Sequence, residues 1–254
     1  MNDKVIKVYK QCGYTPLECI NNLKKEHENL KLLPMTYAGR LDPLAEGLLL
    51  ILVGDECLKK DEYLNLPKVY EVDVLFGFAT DTYDVMGLIT KSNISDILDN
   101  ENISERLEKI LPEFIGNIKQ SYPPYSSRPV KGKPLFMWAR ENKLDDIEIP
   151  THDVNVSNIE ILEEREISGK DLLEKIKEDI SRVSGDFRQK EILSRWETNL
   201  YNKYEEKYPI IKLKISCGSG VYVRVIANEI GEKLGLPALA LKIVRTKIGE
   251  YEIN

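Results

Sequence analysis

Three polar side chains stand where polar side chains are costly. Asp42 lies between Leu41 and Pro43, just before the apolar run Leu48–Val53. Tyr70 opens the alternating stretch "KVYEVDVLF", and Arg224 sits among hydrophobic neighbours in "VYVRVI". A partly buried arginine nearly always has an acidic partner, and Asp42 is one candidate. A carboxylate, a phenol and a guanidinium together suit nucleophilic or general acid–base chemistry. An Asp-Pro turn explains Asp42 as simply, because proline alone pushes the preceding residue out of the helical region. Residue types leave both readings open.

The remaining inventory narrows the chemistry. The 254 residues contain two histidines, His27 and His152, each in a polar stretch and expected at the surface. Ser-His-Asp catalysis and histidine-based metal sites are thereby disfavoured. Cys12, Cys19, Cys57 and Cys217 form no C-x-x-C pair and read as reduced thiols. "CGSGVYVR" lacks the spacing of a dinucleotide fingerprint or a P-loop, and "TDTYD" (80–84) offers too few carboxylates for a metal. No metal and no cofactor are expected. No apolar run approaches the roughly 18–20 residues of a membrane span, and the amino terminus lacks an apolar signal core. A cytoplasmic protein with no membrane partner is the expectation.

The elements that must position these residues alternate irregularly between strand and helix, which favours an α+β class. Residues 4–9 read as a strand. Thr15-Pro16-Leu17-Glu18 opens a helix with N-cap, N1 proline and capping box, whose apolar face includes Ile20, Leu23 and Leu30. In 68–76, Tyr70, Val72, Val74 and Phe76 point one way and Glu71 and Asp73 the other, as in a half-buried strand. Residues 94–111 read as helical, with Ile97, Ile103, Leu107, Ile110 and Leu111 on the apolar side. "PIIKLKISC" reads as a strand, and the helix carrying Arg224 ends at Gly235.

Two segments differ in character. In 118–143, Lys119, Arg128, Lys131, Lys133, Arg140 and Lys143 face a single acid, Glu141, with Tyr122, Tyr125, Phe136 and Trp138 interleaved. That pattern suits a nucleic-acid-binding arm; an ordinary surface loop suits it equally on composition. The formal net charge of −6 argues mildly against nucleic acid, although RNA meets a local surface rather than a sum. Residues 168–208 read as helical, opened by Ser168 and Asp171, with Leu172, Leu173, Ile176 and Ile180 facing a core and balanced charges outside.

Four blocks in order, "YAGRLDPLAEGLLLILVGDECLK", "KVYEVDVLFGFATDTYDVMGLIT", "PPYSSRPVKGKPLFMWAR" and "CGSGVYVRVIANEIGEKLGLPALALKIVRTKIG", span nearly the whole chain. They resemble the TruB family of tRNA pseudouridine synthases. The resemblance implies a pseudouridine synthase fold: one catalytic domain over 1–254 with a central, mixed but mainly antiparallel sheet flanked by helices. It implies isomerisation of a tRNA uridine to pseudouridine, most simply at T-loop position 55, by base flipping and without metal or cofactor. The alternatives are another tRNA site, ribosomal RNA, or a non-catalytic tRNA-folding factor. By resemblance Asp42 is the nucleophile, Tyr70 stacks on the base and assists proton removal, and Arg224 pairs with Asp42. Tyr37, Arg40, Tyr222 and Ile243 fall at substrate positions, and Lys10, Arg128, Lys131, Lys133, Arg140 and Arg245 at RNA contacts.

The chain departs from the family pattern in several places. Tyr37 stands where the family carries a base-displacing His, and Arg40 replaces a Thr. The chain stops soon after the last block, so no carboxyl-terminal RNA-binding (PUA) domain is expected. Residues of about 118–150 would form a thumb-like RNA clasp. Residues of about 165–208 are an insertion, whose balanced charge favours bracing the core over touching RNA. The expected partner is tRNA, bound by a monomer.

Overall fold

The computed structural model describes residues 5–93 and 102–253. Its backbone is a nine-stranded sheet. In order across the sheet run β1 (Val5–Lys10), β3 (Glu46–Val53), β12 (Ala238–Ile248), β4 (Lys68–Phe76), β11 (Lys207–Cys217), β10 (Thr151–Ser168) and β7 (Gly116–Ser121). The short strands β2 (Met35–Ala38) and β13 (Tyr251–Glu252) pair with β3 and β12, while β5 (Phe78–Thr80) with β6 (Ile89–Ser92) and β8 (Pro129–Val130) with β9 (Lys133–Pro134) form two separate ribbons. Among the described residues only β3 and β12 run parallel in this sheet, and its other pairings are antiparallel. The expected α+β sheet is the one observed.

Alternation along β4 sorts its side chains between two cores. Tyr70, Val72, Val74 and Phe76 join Ile226, Ile230 and Leu234 of the helix Val223–Leu234 on one face. Leu75 joins Leu239, Ile210 and the insertion helices Gly169–Ser181 and Gln189–Leu200 on the other. The second face is therefore covered, not open to water as a half-buried strand would require. Asp73 is accordingly buried, and Arg165 meets it at 2.7 Å. β4 holds this position because it lies between β12 and β11 at the middle of the sheet.

Local signals place most helix ends. Thr15 caps the helix Pro16–Glu26 through a complete capping box. That helix stops at Glu26, so Leu30 lies in the separate turn Glu28–Leu30. Ile103–Ile110 is helical as expected, while Ile97 lies outside the described residues. The insertion is a strand extension plus a helix pair. β10 continues as strand to Ser168, whose hydroxyl accepts from the Asp171 amide at 3.0 Å, and β11 resumes at Lys207. The helical reading thus starts where expected, at the Ser168 cap, whereas pairing of Lys207 and Tyr208 with Ser168 and Ile167 overrides it at its carboxyl end. Trp196, fully buried, donates to the Val85 carbonyl at 3.2 Å and packs on Phe78. Burying such a ring contributes about 2–3 kcal/mol to the packing of this helix pair.

Candidate active site

Asp42 occupies a turn that feeds β3, with the Ala45 amide donating to the Asp42 carbonyl at 3.1 Å. Backbone carbonyls in such a loop need donors, and two buried cations supply them. Lys10 donates to Ala45 at 2.6 Å and to Pro43 at 3.3 Å. Arg245 donates to Leu48 at 2.8 Å and to Gly39 and Arg40 at 3.4 Å. Gly47 completes the seat: its φ is +108°, and a Cβ there would fall 2.3 Å from the Arg245 carbonyl oxygen. Lys10 and Arg245 are 0% and 1% exposed. Both side chains are thus spent on the loop carbonyls, and Arg245 also lines the cleft beside Asp42. Burial lowers Lys10 to about 8, against the raising effect of nearby thiols and carboxylates.

The Asp42 carboxylate is held from the opposite side. Arg224 Nε donates to Asp42 Oδ2 at 2.8 Å, the pairing that the residue types suggested. The other two nitrogens donate to the Thr82 carbonyl at 2.7 Å and the Tyr125 carbonyl at 3.1 Å. The guanidinium is thus fully engaged by one carboxylate and two loops, a geometry suited to its planar fork. Burial works to lower the Arg224 pKa, but the charges of Asp42 and Asp84 raise it on balance. Asp84 is buried and accepts from Thr82 Oγ1 at 2.7 Å and the Met86 amide at 2.9 Å. Burial, with Asp42 nearby, pushes it up to about 6 although Arg224 opposes the shift.

A cleft of about 590 Å³ opens beside Asp42, and Arg40, Tyr70, Tyr222, Arg224 and Ile243 line it. With Arg245, which also lines it, six expected site residues surround Asp42. Tyr70 forms a buried wall, 8% exposed, and burial raises its phenol pKa. Tyr37 does not join them. It faces Ile51 across β2–β3, packs on the cluster of Cys19, Ile20 and Leu49, and carries Lys60 over its ring at 5.3 Å. The period-two alternation of β2 turns it toward that cluster, and it is not among the residues lining the cleft.

The basic segment flanks the same opening. Arg128 lies 4.9 Å from the Tyr122 ring, which stacks on His152 at 4.1 Å. Lys131 is exposed in a two-stranded hairpin (Pro129–Val130 with Lys133–Pro134), and Lys133 pairs with Glu141 at 2.7 Å beside Trp138. Arg140 is exposed and donates to the Asp186 carbonyl.

Several contributors carried no local signal. Gln120, fully buried, clamps the Tyr222 backbone by accepting from its amide at 2.8 Å and donating to its carbonyl at 3.2 Å. His152, expected at the surface, has its ring nitrogens 3.0 Å from the carbonyls of Gln120 and Gly220. Ser126 is buried with no partner for its hydroxyl and lines the cleft. Only the fold brings these residues to Asp42. Among the described residues no group of three or more His, Cys, Asp or Glu is arranged to hold a metal, and no helix is long and apolar enough to cross a membrane.

A mainly antiparallel sheet, with Asp42 on the loop entering β3 and Tyr70 on β4, is what the resemblance to a pseudouridine synthase fold implies. Solved structures agree on the fold. The chain superposes over 98% of its length on a protein of a Cbf5-Nop10-Gar1 complex, with a TM-score of 0.59 at 17% identity. A structure titled as an H/ACA RNP bound to a substrate RNA containing 2'-deoxyuridine gives 0.54 at 16% identity. The chain spans about half the length of both solved chains, 50% and 49%. Residues 27–177 match the model of the TruB family pseudouridylate synthase N-terminal domain. A tRNA pseudouridine synthase B of Staphylococcus aureus (strain bovine RF122 / ET3-1) is 30% identical over 100% of this chain and 69% of its own length. One from Nostoc sp. (strain PCC 7120 / SAG 25.82 / UTEX 2576) is 32% identical over 98% and 68%. The chain belongs to the TruB family.

Proposed function

We propose that the protein isomerises a uridine of tRNA to pseudouridine, at the T-loop uridine of position 55, with Asp42 as the nucleophile. The observation that carries this reading is the Asp42 carboxylate, fixed by a buried arginine and 37% exposed at a cleft walled by Tyr70, Tyr222 and Ile243. A base stacked in a helix cannot reach such a carboxylate, so the nucleotide is extruded into the cleft.

The chemistry balances without a redox partner. Asp42 attacks the nucleoside or assists loss of uracil, breaking the bond between ribose C1′ and N1. The freed uracil turns and forms a bond from C5 to C1′, and any bond from Asp42 to C1′ breaks as it forms, returning the electron pair to the carboxylate. The C5 proton leaves, assisted by Tyr70, and N1 gains one. Arg224 holds Asp42 in place throughout, and its own charge stays matched by Asp42 and Asp84. Tyr222 and Ile243 bound the uracil, Arg40 lies at the rim, and Arg128, Lys131, Lys133 and Arg140 meet the phosphates. One copy of the chain supplies every group of this cleft, which fits action as a monomer, and a tRNA substrate fits a cytoplasmic location.

Carbodiimide modification and primer extension on an unmodified tRNA transcript test the reading. The expected result is one enzyme-dependent stop at the T-loop uridine. A stop only elsewhere in tRNA, or only in ribosomal RNA, overturns the site. No stop in any RNA that the protein binds leaves a folding factor in place of an enzyme.

A further inference from the structure

The insertion does more than pack against the sheet. Its two helices bury Trp196 against Val85, but the turn between them, "SGDFRQ", runs back to the catalytic aspartate. A second cavity of about 400 Å³ lies beside Asp42, and Phe187 lines both this cavity and the cleft of Tyr70. Phe187 is 38% exposed, whereas Tyr70 is 8% and Ile243 7%. The ring therefore stands at the mouth of the site while the other two form its floor.

The turn is held on three sides. Arg188 donates to both oxygens of Asp81, at 2.8 and 3.3 Å, and lies 4.4 Å from the Tyr125 ring. Arg140 donates to the Asp186 carbonyl, and Gln189 both accepts from the Phe187 amide at 2.9 Å and donates to the Gly185 carbonyl at 2.7 Å. Arg188 adopts φ +65° despite its side chain. Such a conformation persists only where the surroundings impose it. Packing explains none of the exposed area of Phe187. A flat apolar ring, rigidly placed beside a nucleic-acid site, is a stacking platform for a base.

We propose that Phe187 stacks on an unpaired base of the RNA next to the target uridine, so that the insertion supplies one wall of the substrate site, with Arg188 as the positioning residue that aims it. The proposal rests on the reading of the chain as an RNA uridine isomerase, and its test uses binding so that the two can fail separately.

The affinity of a synthetic unmodified T-stem-loop is measured for the full chain in an Asp42→Asn background. Phe187→Ala should weaken binding by about 5- to 100-fold, the range of one lost base–aromatic stack. Phe187→Leu, which keeps apolar bulk without a flat ring, should show most of that loss, and Phe187→Tyr should restore binding. Arg188→Ala should weaken binding too, but add little once Phe187 is Ala, since both act through one contact. Abasic substitution beside the target uridine should erase the difference between Phe and Ala at one position only. Binding by Phe187→Ala equal to that of the parent overturns the proposal, and so does full rescue by Leu or an Ala penalty unchanged at every abasic position. An RNA that the parent does not bind overturns it as well. If the Phe187 effects hold while the chain with Asp42 intact forms no pseudouridine, the isomerase reading fails and the platform stands.

Discussion

Two arginine–aspartate pairs bracket the cleft, and they differ in kind. Arg224 and Asp42 have side chains 4% and 37% exposed, while Arg188 and Asp81 are 20% and 24% exposed. Arg224 lies under the protein and satisfies two loop carbonyls besides its carboxylate. Arg188 lies at the rim and ties the insertion to the turn at residues 80–84. The same two residue types thus lock the Asp42 loop in one place and fasten the turn between two helices in the other. A charge without water is costly to strand, whereas a rim charge is screened and replaceable.

The contrast sets the scale of each expected effect. Arg224→Met should lower unfolding free energy by about 3–5 kcal/mol, because it strands polar groups in a dry site. Urea denaturation reads this, and a loss below about 1 kcal/mol would erase the distinction between the pairs. Asp84 gives a pH signature to the buried side alone. Its folded pKa of about 6 exceeds the ordinary 3.8, so the folded state holds the proton more tightly. Its contribution is complete below about pH 4 and is lost as pH rises through 6. Relative to Asp84→Asn, the wild type should lose about 1–3 kcal/mol across that window. Parallel stability curves would count against a buried, proton-holding Asp84.

The rim should respond through RNA and salt instead. Lys131→Glu with Lys133→Glu should weaken tRNA binding roughly tenfold and reduce the slope against salt by about 2. An unchanged slope would remove the hairpin from the phosphate contacts. Arg188→Gln should cost about 1 kcal/mol of stability or less, and that cost should shrink in high salt. A penalty matching that of Arg224→Met would make the two pairs equivalent.

Legibility in the sequence follows the range of the forces involved. Capping at Thr15 and alternation at Tyr70–Phe76 are local signals, and both elements stand where expected. The Asp42–Arg224 pairing spans 182 residues yet was suggested by burial logic, because an arginine among apolar neighbours needs a carboxylate. Where a residue's type leaves its burial open, the sequence does not place it. Lys10 and Arg245 look like phosphate ligands in the sequence, but the fold needs their donors beneath the Asp42 loop. Tyr37 holds a family position in the alignment of motifs, yet its strand faces it away. Between Gly169 and Leu200, balanced charge leaves the outer face to water, and Trp196 supplies the buried contact. Phe187 offered only the turn signal "SGD" before it, since its meeting with Asp42 is purely tertiary.

The most direct measurement is tritium release from a tRNA transcript labelled at uridine C5, comparing the wild type with Asp42→Asn. The wild type should release label to completion, and the variant should be slower by on the order of 10⁴-fold while still binding the transcript. Comparable release by both proteins would show that Asp42 is not the nucleophile and that its place beside Arg224 is structural.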